Sequence, residues 1–288
     1  MANLKEIRIR ISSVESTKQI TSAMKLVAAS KLKRAQDAIT TMRPYAEKLG
    51  EILQDISSGN SNEDNVYGVQ REEEKVLLVP ISSNRGLCGA FNANVIKKCN
   101  VLLANDYKNQ NARGDVHFFT VGKKVSEHFT KHGATVIASH DDIWDNLAWE
   151  NVIPIAEDLL KLFRDGDYDR IELVYNEFVN AATQKLNAEQ FLPVVENSVE
   201  GESNKDYIME PSSEVIIGEL IPKTLKTQFY KALLDSLASE HGARMTAMHQ
   251  ATDNADALVK DLKLTYNKAR QTAITNEIIE IVSGADAM

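Results

Sequence analysis

The sequence predicts an α/β protein with a long antiparallel coiled coil, built from N- and C-terminal helices, and a central Rossmann-like α/β domain whose sheet is largely parallel. Two observations predict this fold. At both ends of the chain, apolar residues recur at spacings of three and four, the period of paired helices. Between the ends, short runs rich in Val, Ile and Phe alternate with helical stretches, as in parallel layered folds. The predicted parts are residues 1–58, 70–205 and 211–288.

The N-terminal part reads as one helix because no helix breaker occurs before Pro44. About fifty residues at about 1.5 Å each would give a rod of roughly 80 Å. A loop rich in Ser, Gly, Asn and Asp at residues 57–68 marks its end. The apolar residues assigned to its paired face are Leu4, Ile7, Ile11, Val14, Ile20, Met24 and Val27.

The C-terminal part reads as a second long helix, which begins after Pro211, stops at Gly284 and is expected to kink at Pro222. Much of its seam is alanine, which lets two helices approach closely. Neither amphipathic helix is stable alone in water, so the two are expected to pair in antiparallel fashion. Its seam residues are Ala255, Val259, Leu262, Tyr266, Ala269 and Ala273.

The central part contains four predicted strands and a fifth apolar run that resembles a strand. Helical stretches from about Asn92, Gly122 and Pro154 separate them. The strand runs are residues 76–81, 116–121, 135–138 and 171–178, followed by the apolar run at 191–195.

Composition favours a reduced, cytosolic protein. Among 288 residues there are two cysteines, Cys88 and Cys99, and no apolar stretch of membrane-spanning length or export signal is visible. The first 48 residues are basic, but the net charge of the chain is −8 and aromatic residues are absent before Tyr45. Nucleic acid binding is therefore disfavoured, and we expect neither a membrane span nor a nucleic acid partner.

One candidate phosphate site is the turn at residues 85–89, which follows the first strand and contains Gly86 and Gly89. It lacks the third glycine of the dinucleotide motif and a Walker lysine, so a structural turn is the favoured interpretation. Gly122 with Lys123 and Lys124 follows a strand too, but it lacks the upstream glycine of a phosphate-binding loop, and no Ser or Thr that would hold magnesium directly follows the lysines.

Two histidines, His128 and His132, lie one helical turn apart, with His140, Asp141 and Asp142 as conceivable further ligands. The order of residues is not H-E-x-x-H, so a solvated helix face is favoured. Cys88 has no neighbouring base in the sequence and reads as a small core residue. We expect no catalytic residue, no cofactor and no metal, and therefore no enzyme activity.

The C-terminal tip is the most informative feature, because its apolar residues cover more than one side of the helix. A helix that only paired with the N-terminal helix would need a single apolar stripe. The pattern predicts a surrounding protein sleeve, with a tip folded back on the central domain as the alternative. The residues are Ile274, Ile278, Ile279, Ile281 and Val282.

Five segments resemble the gamma subunit of rotary, F-type ATP synthases. They occupy residues 17–32, 83–89, 238–255, 266–275 and 280–285, in the same order along the chain. Together they cover both helices and the turn after the first strand, whereas residues 100–210 resemble the family mainly in pattern.

The resemblance implies a rotor shaft that couples ion flow to ATP synthesis or hydrolysis. In that arrangement the coiled coil stands inside a hexamer of alpha and beta subunits, and the central domain lies beside the epsilon subunit. Asp206, Tyr207 and Glu210 resemble the foot on the membrane c-ring. The implied location is peripheral, on the cytoplasmic face of a bacterial inner membrane.

The resemblance also implies roles for residues in the two helices. Met24 and Lys25 would lie where the N-terminal helix meets a moving lever of a beta subunit. The remaining partner contacts implied by position, or by the apolar tip, are Arg244, Arg270, Gln271, Thr275, Ile278 and Ile281.

Two other classes of function stay open. A nonrotary coiled-coil tether would explain the helices but not the apolar tip, and it would self-associate without alpha and beta subunits. An α/β enzyme with helical arms would require a ligand site, and the pure chain would then bind nucleotide.

Overall fold

The protein is represented by a computed structural model that describes residues 4–57, 66–194 and 213–286. The chain forms long helices near both ends of this region and alternating strands and helices between them. A single 3₁₀ turn, Asp142–Trp144, follows β3. In chain order the elements are α1 (Leu4–Ser57), β1 (Val76–Pro80), α2 (Phe91–Ala104), α3 (Lys108–Arg113), β2 (Val116–Val121), α4 (Lys123–Lys131), β3 (Val136–His140), α5 (Trp149–Arg164), β4 (Arg170–Phe178), β5 (Gln184–Leu192) and α6 (Ser213–Asp286).

The strands form one sheet in the order β3-β2-β1-β4-β5. The pairs β1–β2, β1–β4 and β2–β3 are parallel, and β5 alone runs antiparallel, beside β4. The largely parallel α/β sheet predicted from the sequence is confirmed.

Successive residues of β1 face opposite sides of the sheet, and each side has its own apolar core. Leu77 and Val79 pack in a cluster with residues of α5 and with α6 residues such as Phe229. Val76 and Leu78 pack on the other side with residues of α2 and α4. The strand is fully buried, as expected for a central parallel strand covered on both faces. The first part of α6 therefore serves as one covering layer of the sheet.

The last strand differs from its prediction. The apolar run at residues 191–195 indicated a strand there, whereas β5 begins at Gln184 and ends at Leu192. Val195 lies outside the described residues. The early part of β5 is polar and partly exposed at the sheet edge, so apolar periodicity does not reveal it.

The two long helices continue through their prolines. Pro44 lies inside α1, and Pro222, where a kink was predicted, lies inside α6. A proline removes one backbone hydrogen bond from a helix. Ile221 and Leu225, on either side of Pro222, are each 3% exposed and belong to the sheet core. Packing therefore holds this stretch of α6 in place.

Packing divides the chain into two compact units: residues 1–29 with 244–288, and residues 30–243. The sheet belongs to the second unit, and α1 and α6 contribute to both. The domain boundaries predicted from the sequence, 1–58, 70–205 and 211–288, stay a prediction.

Within the first unit, α1 and α6 pair antiparallel. Arg8 donates a hydrogen bond to the hydroxyl of Tyr266 at 2.7 Å. Further along α1, the hydroxyl of Thr252 donates to the hydroxyl of Thr21 at 2.8 Å, so the α6 partner numbers fall as the α1 numbers rise. Lys18 forms an ion pair with Asp256.

The seam of α1 departs from the prediction halfway along. Leu4, Ile7, Ile11 and Val14 are buried or half-buried, but Ile20 and Val27 are 60% and 58% exposed. If the alternating steps of three and four are continued from Leu4, the residues on the paired face are instead Lys18, Thr21, Lys25 and Ala28. These residues are buried or half-buried, and three of them are polar, which is why apolar periodicity followed the wrong face. On α6 the predicted seam holds at Ala255, Val259 and Leu262, while Ala273 is exposed.

Ala255→Leu should destabilise the coiled coil, because Ala255 is only 7% exposed in a close-packed seam. Added methylenes at such a site typically cost about 1 to 3 kcal/mol. Thermal unfolding of the isolated chain measures this, with Ala257→Leu, on an exposed position of the same helix, as the control. Equal melting temperatures for Ala255→Leu and the parent chain would contradict the assignment of Ala255 to the seam.

Acid should weaken the same pairing through Asp256. Hydrogen bonds from Lys18 and then Lys260 lower the pKa of Asp256 to about 2. The folded pKa is thus below the unfolded value of about 3.9, and the stabilisation is complete above that pH and is lost as the pH falls towards about 2. Circular dichroism across this window should show a smaller helix loss for Asp256→Asn than for the parent chain. The exposed Asp261→Asn is the control, and parallel curves for parent and Asp256→Asn would refute the assignment.

Candidate functional site

The glycine turn after β1 is held together by its own side chains. Ser83 donates its backbone N–H to Asn92 Oδ1 at 3.0 Å, and Asn92 Nδ2 donates to Ser83 Oγ at 2.8 Å. Leu87 and Gly89 have φ angles of 61° and 60°, in the left-handed region. This conformation is costly for a leucine, so the turn depends on the bonds around it.

The crevice at the carboxyl ends of β1 and β2, where ligands bind in folds of this class, is filled by the chain itself. Asn84 Nδ2 donates to the carbonyl of Asp141 at 2.7 Å, and Asn84 Oδ1 accepts the N–H of Lys123 at 3.0 Å. The hydroxyl of Ser82 accepts the N–H of Val125 at 3.1 Å. These are N–H groups of the first turn of α4 that a phosphate would use.

The approach of β1 to β2 also explains Gly122. Its φ is 99°, and a Cβ atom there would lie 2.1 Å from the carbonyl oxygen of Ser82. A glycine is therefore required for contact between backbones, and no phosphate need be invoked for it. The interpretation of residues 85–89 as a structural turn agrees with these bonds.

The paired histidines of α4 lie side by side. The ring centroids of His128 and His132 are 4.2 Å apart, and His132 Nδ1 lies 2.7 Å from the carbonyl oxygen of His128. Partial burial and then the neighbouring His132 lower the pKa of His128. In the described part of the chain, no group of three or more His, Cys, Asp or Glu residues is placed to hold a metal. The proposed further ligands Asp141 and His140 do not join the pair.

Both cysteines are buried free thiols. Cys88 Sγ lies 3.3 Å from Asn92 Nδ2, which donates to it. Burial, chiefly, raises the pKa of Cys99 far above its ordinary value. These are environments of structural thiols, since a reactive thiol needs a lowered pKa and access.

The C-terminal tip of α6 has the exposure of a surface made for a partner. Every side chain from Gln271 to Ala285 is exposed. At 100° per residue, its large apolar side chains spread over about 160° of the circumference. This is wider than one seam, although narrower than the complete circle that a fully enclosed helix would carry. The exposed fractions are 48% for Ile274, 56% for Ile278, 58% for Ile279, 66% for Ile281 and 54% for Val282.

The other predicted contact residues divide into two sets. Met24, Lys25 and Arg244 are half-buried, and Lys25 Nζ lies 3.4 Å from His249 Nδ1 across the coiled coil. Arg270 begins the fully exposed stretch.

Gln271 and Thr275 belong to the exposed set. The hydroxyl of Thr275 donates to the carbonyl of Gln271 in its own helix at 2.9 Å. The three predicted foot residues, Asp206, Tyr207 and Glu210, lie outside the described residues.

Sequence reasoning missed one charged pair. Asp235 is 0% exposed, and its Oδ1 lies 3.5 Å from Nη2 of Arg43. Arg43 in α1 lies directly before Pro44, and no motif in the sequence singled it out. Asp235 follows Leu233 and Leu234, and this apolar setting was the available signal of its burial.

None of the helices in the described ranges has a stretch long and apolar enough to cross a membrane.

Comparison with known proteins gives a consistent result over the whole chain. A family model described as ATP synthase matches residues 3–288. The ATP synthase gamma chain of Flavobacterium johnsoniae is 59% identical over 290 residues, covering 100% of this chain and 99% of the relative.

Solved structures agree. The central stalk and c-ring structure of Tetrahymena thermophila mitochondrial ATP synthase contains a chain with 27% identity and a TM-score of 0.62, covering 81% of this chain and 99% of that one. A chain of the Euglena gracilis mitochondrial ATP synthase shares the fold, with a TM-score of 0.68 at 21% identity, covering 99% and 94%. The chain described here therefore belongs to the gamma-chain family of ATP synthases, the central-shaft subunits of these rotary complexes.

Proposed function

We propose that this chain is the rotor shaft of an F-type ATP synthase and that it transmits rotation without carrying a catalytic site of its own. The observation that carries the proposal is the exposed tip of α6. Its side chains from Gln271 to Ala285 are all exposed, and five of them are large and apolar. An unsupported helix of about fifteen residues is marginal in water, so a protein sleeve around the tip would both stabilise and hide it.

The sleeve would be a hexamer of alpha and beta subunits. An asymmetric shaft turning inside it presents a different face to each beta subunit in turn. A contact can bias a nucleotide site only if its free energy differs between the conformations of that site. The tip is asymmetric in this sense. Its apolar side chains lie on one side of the helix, and Glu277 and Glu280 lie on another, so the two sides would make different contacts.

The contact residues follow from exposure and position. Arg270, Gln271 and Thr275 would form polar contacts to beta subunits, and Ile278 and Ile281 would pack against the sleeve. An arginine suits desolvated pairing with a carboxylate because its guanidinium presents fixed parallel donors. Further contacts of this kind are proposed for three half-buried residues, Met24, Lys25 and Arg244.

At its other end the shaft would meet the c-ring and the epsilon subunit. The similar Tetrahymena chain belongs to a structure of a central stalk with its c-ring, which supports the c-ring as a partner. Asp206, Tyr207 and Glu210 stay the proposed foot. The bacterial origin of the similar relative supports a peripheral position on the cytoplasmic face of an inner membrane.

Copurification tests the proposal most directly. Membranes that contain the tagged full chain should yield alpha, beta and epsilon subunits and the c-ring in fixed ratio. Self-association of the chain without these subunits would favour a nonrotary tether and refute the rotor function.

The isolated chain should show no ATPase activity and no tight nucleotide binding. The reason is that Asn84 and Ser82 already occupy N–H groups at the β1–β2 crevice. Isothermal calorimetry with ATP and magnesium on monodisperse chain measures this, and the assembled complex serves as the positive control. Micromolar binding to the pure chain would contradict the noncatalytic assignment.

Replacing Arg270 and Gln271 together by alanine should leave the chain folded but slow the assembled motor. Alanine has the highest helix propensity, so α6 should persist. Each lost charge-assisted hydrogen bond to a desolvated carboxylate would cost roughly 1.5 to 3 kcal/mol of contact energy. The measurement is ATP hydrolysis and proton-driven synthesis at equal subunit stoichiometry.

The matched control removes one basic and one amide side chain from an exposed face of α2, Lys97→Ala with Asn94→Ala. Parent rates in both directions for the Arg270 and Gln271 variant would place those two side chains in solvent.

A further inference from the structure

Arg43 connects three elements of the sheet-containing unit. From α1, its Nη2 lies 3.5 Å from Oδ1 of Asp235 in α6. The same nitrogen donates to the carbonyl oxygen of Phe178, the last residue of β4, at 3.3 Å. One guanidinium thus joins both long helices and the sheet.

The acidic partner of Arg43 lies in an unfavourable place for a charge. The Asp235 side chain is 0% exposed, and neither of its oxygens has a conventional hydrogen bond to the described residues. Burial raises the pKa of Asp235, an effect that Arg43 and then Lys231 oppose. The carboxylate of this ion pair is fully buried, whereas the Arg43 side chain is 43% exposed. A buried carboxylate with so few hydrogen bonds adds little net stability, since apolar side chains of similar volume usually do as well. Stability therefore does not explain the pair.

The surroundings suggest what the pair does. Both long helices carry small buried side chains in this stretch, Ala35 on α1 and Ala238 on α6, each 3% exposed or less. Contacts between such residues are non-directional and tolerate small rotations or shifts of one helix along another. A charged pair with a carbonyl acceptor has one favourable geometry, so it defines position where apolar packing does not.

Hydrogen bonds also hold the sheet side of this contact. Asn180 Oδ1 accepts the N–H groups of Ala182 and Thr183 at 2.9 and 2.8 Å, which fixes the turn after Phe178. The backbone of α6 also lies close to this turn, since a Cβ on Gly242 would be 3.1 Å from the carbonyl oxygen of Ala181. Arg43 therefore attaches α1 at a point where α6 already lies close to the sheet.

We propose that Arg43, with Asp235 and the carbonyl of Phe178, is a positioning clamp that fixes α1 against α6 and the sheet, so that turning force passes between the sheet unit and the helices without slip. The second half of this statement rests on the rotor function proposed above. The first half concerns the isolated chain and stands independently of it.

The test replaces the clamp by apolar side chains in the full chain, Arg43→Met with Asp235→Leu. The matched control is Lys33→Met with Asp37→Leu, which removes an exposed ion pair from α1. Arg43→Lys is the conservative variant, which retains the charge but loses the planar guanidinium that fixes the direction of its donors. The melting temperature of the clamp-free chain should equal or exceed that of the parent, because no buried charge is left unpaired.

The position of α1 relative to the sheet is measured as the distance between two spin labels. The labels are attached at Thr40→Cys and Val179→Cys, which are exposed sites on α1 and on the turn after β4. The two native cysteines are buried, so a chain without the new cysteines reports any background labelling. The distance distribution should broaden by about twofold or more in the clamp-free chain, broaden less in Arg43→Lys, and match the parent in the control. A clamp-free chain as narrowly distributed as the parent overturns the proposal.

Coupling is measured in reconstituted complexes as ions pumped per ATP hydrolysed. We expect a fall of about twofold or more for the clamp-free chain at unchanged melting temperature, a result that a purely structural role would not give. A broadened distribution with parent pumping overturns the assignment to turning force. If the parent complex itself does not pump, the rotor function fails, and the distance measurement still decides whether the clamp exists.

Discussion

The constraint on which the whole structure depends is that α6 has no single apolar face. Its 74 residues carry apolar side chains whose direction changes along the helix, and no one neighbour covers them all. The first part, around Leu225 and Phe229, is covered by the sheet. A middle part, around Ala255 and Val259, is covered by α1. The end, from Gln271, is covered by nothing in the described chain. Each part of α6 thus accounts for one feature of the protein. The first part forms the α/β unit with the sheet, the middle part forms the coiled coil with α1, and the end requires a partner.

The sheet adopts the architecture of a nucleotide-binding fold while its ligand crevice is closed. Two side chains that follow β1, Ser82 and Asn84, accept hydrogen bonds from the N–H groups that would bind a phosphate. Gly122 brings two backbones into contact at the same edge. The same fold can thus serve as a rigid body, because function depends on the site and not on the topology. For a shaft, a filled crevice stiffens the unit where an open one would leave room for movement.

Sequence reasoning succeeded where burial alone sets the pattern. β1 is a continuous apolar run and β2 a mostly apolar one because both of their faces are covered, and their positions were predicted closely. It failed where polar residues take structural positions. β5 was placed too late because its first residues are polar at a sheet edge. The α1 seam was misassigned at Ile20 and Val27 because the half-buried Lys18 and the buried Thr21 lie on the paired face instead. The closed crevice depends on Asn84 reaching the carbonyl of Asp141, a pairing across 57 residues that no local pattern contains.

These polar interior positions share a physical reason. A seam of alanine and small aliphatic residues holds two helices together, but it distinguishes poorly between neighbouring registers and rotations, since apolar attraction has no direction. The hydroxyls of Thr21 and Thr252 meet in one register only, as a buried polar pair does in other coiled coils. In the sheet unit, Arg43 and Asp235 impose the same kind of restriction at greater desolvation cost. A protein that only needed to stay folded would lose little stability if both were replaced by apolar side chains. A protein that must present each face of a helix to a defined partner at a defined angle needs directional contacts between its own elements. The pairs Thr21–Thr252 and Arg43–Asp235 are such contacts in this chain.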